Sequence, residues 1–290
     1  MPLVNHRYPE NTHTDTQKIT SLRESLSRSG AGLRSIKQTA TNPVTRAGAA
    51  STAAGSGRNR QYAVVWVGPA DRRSPDATEG HGTVLDQTVG SWLEDLASDA
   101  PAPGGGAAAA MNAAVGAALV SMVCNLTIGR PRYAEHEPVM RDALASATEL
   151  RATAVQLAAD DAAAFGAVTD AYKLPKDTEA DKAARTEAIQ AALVGAADVP
   201  LRTAAVAASL IDLAGRIMDG ANVNVLSDVA VAAASARAAL DAAVINVEIN
   251  LGAMKDPARR DALRAELDKH TAAVTTAAAI VAAVRERINA

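Results

Sequence analysis

From residue 85 onward the apolar residues are almost all small aliphatic side chains, and this constrains the fold more than any single motif. Of its 290 residues, 48% are hydrophobic and only 2% aromatic. A core without aromatic bulk must be filled by alanine, valine and leucine. Alanine is the best helix former, and short side chains let helix axes approach closely. Strand signals are nearly absent after residue 85. The expectation is an all-α protein, a multi-helical bundle of six to seven helices with a buried central helix.

Periodicity and punctuation place the helices. Thr88–Ala97 puts Val89, Trp92, Leu93 and Leu96 on one stripe. After a Pro-Gly-Gly-Gly turn, a helix runs from Ala107 to about Ile128, broken by Gly129-Arg-Pro131. The next spans about Tyr133 to Tyr172, with Leu150, Ala154, Leu157 and Asp161 on one face, and Pro175 ends it. Asp177 or Thr178 can cap a helix reaching about Ala197, and Pro200 is read as opening another. That one closes at Gly220-Ala-Asn222. Ser227 is placed as N-cap of a helix over Asp228–Leu251, which is apolar nearly all round and is the candidate central helix. Asp256-Pro257 opens the last.

Residues 1–84 are different material. They are rich in Ser, Thr, Gly, Arg and Asn, with one apolar island at Tyr62–Val67, and low hydrophobicity without periodicity predicts disorder. One account is an upstream extension from an early start, with the natural start near Val84 or Leu85. A targeting or regulatory tail is the functional account. The domain expected to fold is 85–290.

Charge and cysteine usage narrow the partners. Residues 1–84 carry 11 basic and 6 acidic residues, while 85–290 carry 18 and 26. An acidic folded part disfavours nucleic acid. The lone Cys124 excludes an internal disulfide and fits a reducing cytoplasm. Its apolar setting reads as a buried structural thiol. The histidines are scattered, so no metal site is expected. Ala107–Val123 is long and uncharged, but alanine contributes little to insertion and Asn112 interrupts it, so a buried helix is expected rather than a membrane span.

The chemistry-bearing residues begin at Ala102-Pro-Gly-Gly-Gly-Ala107. Pro103, Gly104, Gly105 and Gly106 let a ligand approach the backbone, and a helix start offers free N–H groups to it. Six further stretches follow in order: Gly116–Thr127 with Asn125, Asp161-Ala-Ala-Ala-Phe165, Ala171-Tyr-Lys-Leu-Pro-Lys176, Ala197-Asp-Val-Pro-Leu201, Asn224-Val-Leu-Ser-Asp-Val229 and Asn246-Val-Glu-Ile-Asn-Leu251. Together they resemble the cyclodeaminase/cyclohydrolase family of folate enzymes, over roughly Leu85–Ala290.

The resemblance implies a folate small-molecule substrate, a homodimer, and one of two reactions. The expected one is hydrolytic opening of methenyltetrahydrofolate to 10-formyltetrahydrofolate, without a cofactor, and the alternative is cyclodeamination of formimino-tetrahydrofolate with loss of ammonia. Both pass through a tetrahedral carbon between N5 and N10 and need a proton carrier there. Asp228, in the Ser-Asp-Val motif, is the first candidate, although Ala230 stands where the family usually has glycine. Its alternative role is plain helix capping. Asp161, in an otherwise apolar stretch where its neighbour Asp160 points about 100° away into solvent, is the second, because a carboxylate there must be paired or face a ligand. Lys173 is the third, acting on nitrogen or holding the folate carboxylates with Lys176. Tyr172, Asn125 and Ser227 are candidate contacts, with Arg130 and Arg132 near an anionic tail. Asn246 and Asn250 share a helix face, lining a cavity or satisfying each other. A helical bundle without catalytic function is the alternative from another class.

Overall fold

The structure, a computed structural model, describes residues 87–290, which lie within one compact unit. The expectation of a disordered 1–84 falls outside the described residues. Among those described there are seven α-helices and no strand: α1 (Val89–Ala97), α2 (Gly105–Thr127), α3 (Glu137–Lys173), α4 (Glu179–Ile217), α5 (Leu226–Ala253), α6 (Pro257–Thr271) and α7 (Ala273–Asn289). The all-α bundle read from the sequence is the observed fold.

Small residues set the packing. α2 lies antiparallel to α5, since Gly105 faces Asn246, Gly116 faces Ala232 and Ala236, and Thr127 meets Asn222. A Cβ at Gly116 would sit 3.2 Å from the Ala232 carbonyl oxygen, so glycine permits this close crossing. α3 and α4 form an antiparallel hairpin, tied by Arg216 to Asp142 and by Arg202 to Asp160. The bundle core lies among α2, α3, α4 and α5, with α6 and α7 packed on α4 and α5. α2 and α4 are each long and apolar enough to cross a membrane, yet 61% of the α2 window is buried within the bundle. Cys124 is among its buried residues, and burial pushes the thiol up to about 11.

Several local expectations are corrected. Pro200 does not restart the chain, because α4 runs through it without a break. Proline lacks an N–H and leaves the carbonyl of Ala196 without its helical donor. The Asn250 side chain of α5 donates to that carbonyl at 3.0 Å and so replaces the missing bond. Ser227 is not the N-cap, since α5 already begins at Leu226 and Ser227 is exposed. Val89 and Leu93 point to solvent, leaving Trp92 as the buried anchor of α1. The closing helix divides at Ala272. α5 does pack on α2, α4, α6 and α7, but one side of it stays open, with Val231, Ile245 and Ile249 exposed. It is central without being buried all round. Thr178 caps α4 in a reciprocal box with Asp181, one of the two caps expected there.

The Asn250 bridge gives the first prediction. Asn250→Leu leaves the Ala196 carbonyl partly buried and unpaired, and is expected to destabilise the fold by about 1–3 kcal/mol. Chemical denaturation of the variant beside Pro200→Ala/Asn250→Leu checks this. The double variant restores an N–H to the helix and should recover stability relative to Asn250→Leu alone.

Candidate active site at the glycine end of the bundle

The first N–H groups of a helix have no partner within it. At the start of α2, the Ala107 N–H donates to Asp161 Oδ2 of α3 at 2.9 Å. A Cβ on Gly106 would fall inside the Asp161 carboxyl, so only glycine admits the carboxylate to the helix end. Burial pushes the Asp161 carboxyl above the ordinary carboxylate range, and the Ala107 N–H offsets part of that rise. Among the described residues, Asp161 has no cationic partner, and Oδ1 accepts no hydrogen bond. Its neighbour Asp160 is bonded by Gln156 at 2.9 Å and pairs with Arg202 at 3.6 Å.

Asn246 completes this end. Its amide lies 3.7–3.8 Å from where a Gly105 Cβ would stand, and Nδ2 donates to the Ala242 carbonyl at 2.8 Å. The glycine turn, Asp161 and Asn246 therefore come together from three helices, with Asn250 one turn further along α5. Partial burial and an available carboxylate oxygen leave Asp161 placed to face a ligand, and the helix N-terminus beside it offsets part of the carboxylate's charge.

The other sequence candidates lie elsewhere. Asn125 is exposed nineteen residues further along α2, which is about 28 Å from Gly106. Asp228 is half-buried in the first turn of α5, eighteen residues or about 27 Å from Asn246. Asp228 and the glycine turn do not line one pocket within a single chain. Tyr172, Lys173 and Lys176 are exposed beyond Asp161, toward the end of the α3–α4 hairpin. Lys173 pairs with Asp170 at 2.9 Å, and Arg185 bonds the Tyr172 carbonyl and stacks 5.4 Å over its ring.

One polar residue escaped the sequence reading. Asn222 is 2% exposed, its side-chain Nδ2 donates to the Leu126 carbonyl at the end of α2, and its backbone N–H donates to the Thr127 hydroxyl oxygen. Its role is to staple the α2 C-terminus, and its place in a Gly-Ala-Asn helix stop was the available signal. A groove of about 620 Å³ runs between α3 and α4 past Glu149, Thr153, Ser209 and Asp212, away from Asp161.

An all-helical bundle that sets a carboxylate against a glycine-opened helix start defines the class. The chain belongs to the formiminotransferase-cyclodeaminase family, whose model matches residues 88–269. It is 44% identical to a methenyltetrahydrofolate cyclohydrolase of Methylorubrum extorquens, over 63% of this chain and 88% of the relative. It is 34% identical to the rat formimidoyltransferase-cyclodeaminase over 69% of this chain, which spans only 37% of that longer protein. The crystal structure of a formiminotetrahydrofolate cyclodeaminase from Thermotoga maritima superposes with a TM-score of 0.65 at 29% identity, covering 71% of this chain and all of that one.

Proposed function

We propose that this protein is a methenyltetrahydrofolate cyclohydrolase, opening the cationic methenyl bridge with water to give 10-formyltetrahydrofolate. The observation that carries the reading is Asp161, held at the glycine end by the Ala107 N–H with one oxygen free of hydrogen bonds. The 44% identity to a cyclohydrolase over most of that protein supports the choice of reaction.

In this mechanism the carboxylate attracts the cationic bridge and accepts a proton as the water oxygen bonds to the methenyl carbon. The carbon–N5 bond then breaks. One water proton ends on N5, the other leaves to solvent, and the formyl group stays on N10. The raised pKa of Asp161 brings it nearer the range in which it can both take and return a proton. Lys173 and Lys176 are proposed to meet the anionic glutamate tail beyond the ring site. In this reading the enzyme works in the cytoplasm, as a homodimer, without a cofactor or metal. The acidic charge of residues 85–290 supports a small-molecule partner rather than nucleic acid or a membrane surface.

Cyclodeamination is the second reading, favoured by the likeness to the Thermotoga maritima structure. There the same proton carrier would assist departure of ammonia as the ring closes. Purified protein is expected to accelerate loss of methenyltetrahydrofolate absorbance. Appearance of that chromophore from formimino-tetrahydrofolate instead would select cyclodeamination. Turnover of neither above the uncatalysed rate would overturn the enzymatic reading in favour of a non-catalytic bundle.

A further inference from the structure

Aromatic side chains make up only 2% of this protein, and Phe165 is its single phenylalanine. Yet Phe165 is 42% exposed on α3, one helical turn beyond Asp161, and Tyr172 is 37% exposed further on. Helical phase puts Leu157, Phe165, Val168 and Tyr172 within about 40° of Asp161, so the five form one stripe. Asp161 reaches the Ala107 N–H, so this stripe is the one turned toward α2. At Leu157 it is fully buried. α2 begins at Gly105, level with Asp161, whereas α3 runs on to Lys173. The stripe therefore leaves the core at the carboxylate and continues as an open apolar shelf about 16 Å long.

The far end of the shelf is cationic. Arg185 of α4 donates from Nε and Nη2 to the Tyr172 carbonyl at 3.1 and 3.0 Å, and lies 5.4 Å over the Tyr172 ring. Lys173 and Lys176 stand exposed beside it. Along α3 the order is thus a carboxylate, an exposed flat ring, then cations. Methenyltetrahydrofolate has the complementary order: a cationic bridge, an aminobenzoyl ring attached through N10, and a glutamate tail.

Resting on the folate reading above, we propose that Phe165 is the platform for the aminobenzoyl ring. The ring stacks on the phenyl face while the bridge lies at Asp161 and the glutamate points toward Arg185. Aromatic rings favour offset stacking, and a flat ligand covering Phe165 restores the burial this side chain lacks. Phe165 touches no reacting atom, so it is a positioning residue. Contact made equally with substrate and transition state lowers KM without raising kcat.

Phe165→Leu keeps apolar bulk and removes the flat face. It is expected to raise KM for methenyltetrahydrofolate about 3- to 10-fold, with kcat held within about twofold. Phe165→Tyr keeps the ring and is expected to restore the wild-type KM. All three proteins should melt together by circular dichroism, since the side chain is exposed. The fragment p-aminobenzoylglutamate carries the ring and tail without the bridge. Titration calorimetry is expected to show it binding the wild type and Phe165→Tyr alike, and Phe165→Leu about 3- to 10-fold more weakly. An unchanged KM in Phe165→Leu, or one not restored by Phe165→Tyr, would overturn the platform. So would a fragment that fails to bind the wild type, or that binds Phe165→Leu equally well. Fragment binding that depends on Phe165, in a protein that turns over neither folate, would overturn the enzymatic reading and leave the platform standing.

Discussion

Asp161→Asn is expected to lower turnover by about 100- to 10,000-fold while the bundle stays folded, the usual range for loss of a positioned proton carrier. The amide oxygen still accepts the Ala107 N–H, so the helix end keeps its partner and the shape of the turn is preserved. What is lost is the charge that attracts a cationic substrate and the oxygen that takes a proton. The pH dependence separates this variant from the wild type further. In the folded protein burial holds the Asp161 carboxyl above its ordinary value of 3.8. Between that value and the raised one the native state binds more protons than the unfolded chain. The contribution of Asp161 to stability is therefore complete below 3.8 and is lost as pH rises through the raised pKa. Denaturant midpoints measured across this acid window should decline in the wild type and stay flatter in Asp161→Asn. Turnover should run the other way, rising with pH as the carboxylate ionises. An Asp161→Asn protein with normal turnover would remove this residue from the chemistry.

Gly106→Ala is the second large effect, and its sign runs against helix propensity. In an ordinary helix interior the change stabilises by roughly 1 kcal/mol, because alanine has less backbone freedom to lose. Here the added Cβ coincides with the Asp161 carboxyl, which must swing away and give up the Ala107 N–H. Losing a hydrogen bond to a charged group costs about 1.5–3 kcal/mol. The variant is expected to melt earlier and to lose turnover about as severely as Asp161→Asn. Gly105→Ala is the contrast, since its Cβ would meet only the Asn246 amide at an ordinary 3.7 Å. Its melting temperature should stay within a few degrees of the wild type. Equal stability of the two alanine variants would show that Asp161 adjusts without cost.

The helices themselves were legible because their causes are local. Alanine-rich runs, the Thr178–Asp181 capping box and the Asp256-Pro257 start each act within a few residues, and each appears in the structure. Asp161, on the otherwise apolar helix face before Phe165, also announced itself, since a charge on a buried face needs a partner or a purpose. Pro200 misled the reading for the opposite reason. Its effect on the helix is local, but the amide that repairs it comes from Asn250, fifty residues away in the sequence. Asp228 shows the same limit on a larger scale. Its motif marks it as a helix-start acid, while its distance from the glycine turn depends on α5 running antiparallel to α2. That direction is decided by packing at contacts such as Gly116 against Ala232. Sequence alone determined which segments are helical and which side chains are chemically unusual, because propensity, capping and periodicity are short-range. Only the tertiary structure decided which of those side chains meet, because contacts between distant helices depend on how closely their smallest residues let the backbones approach.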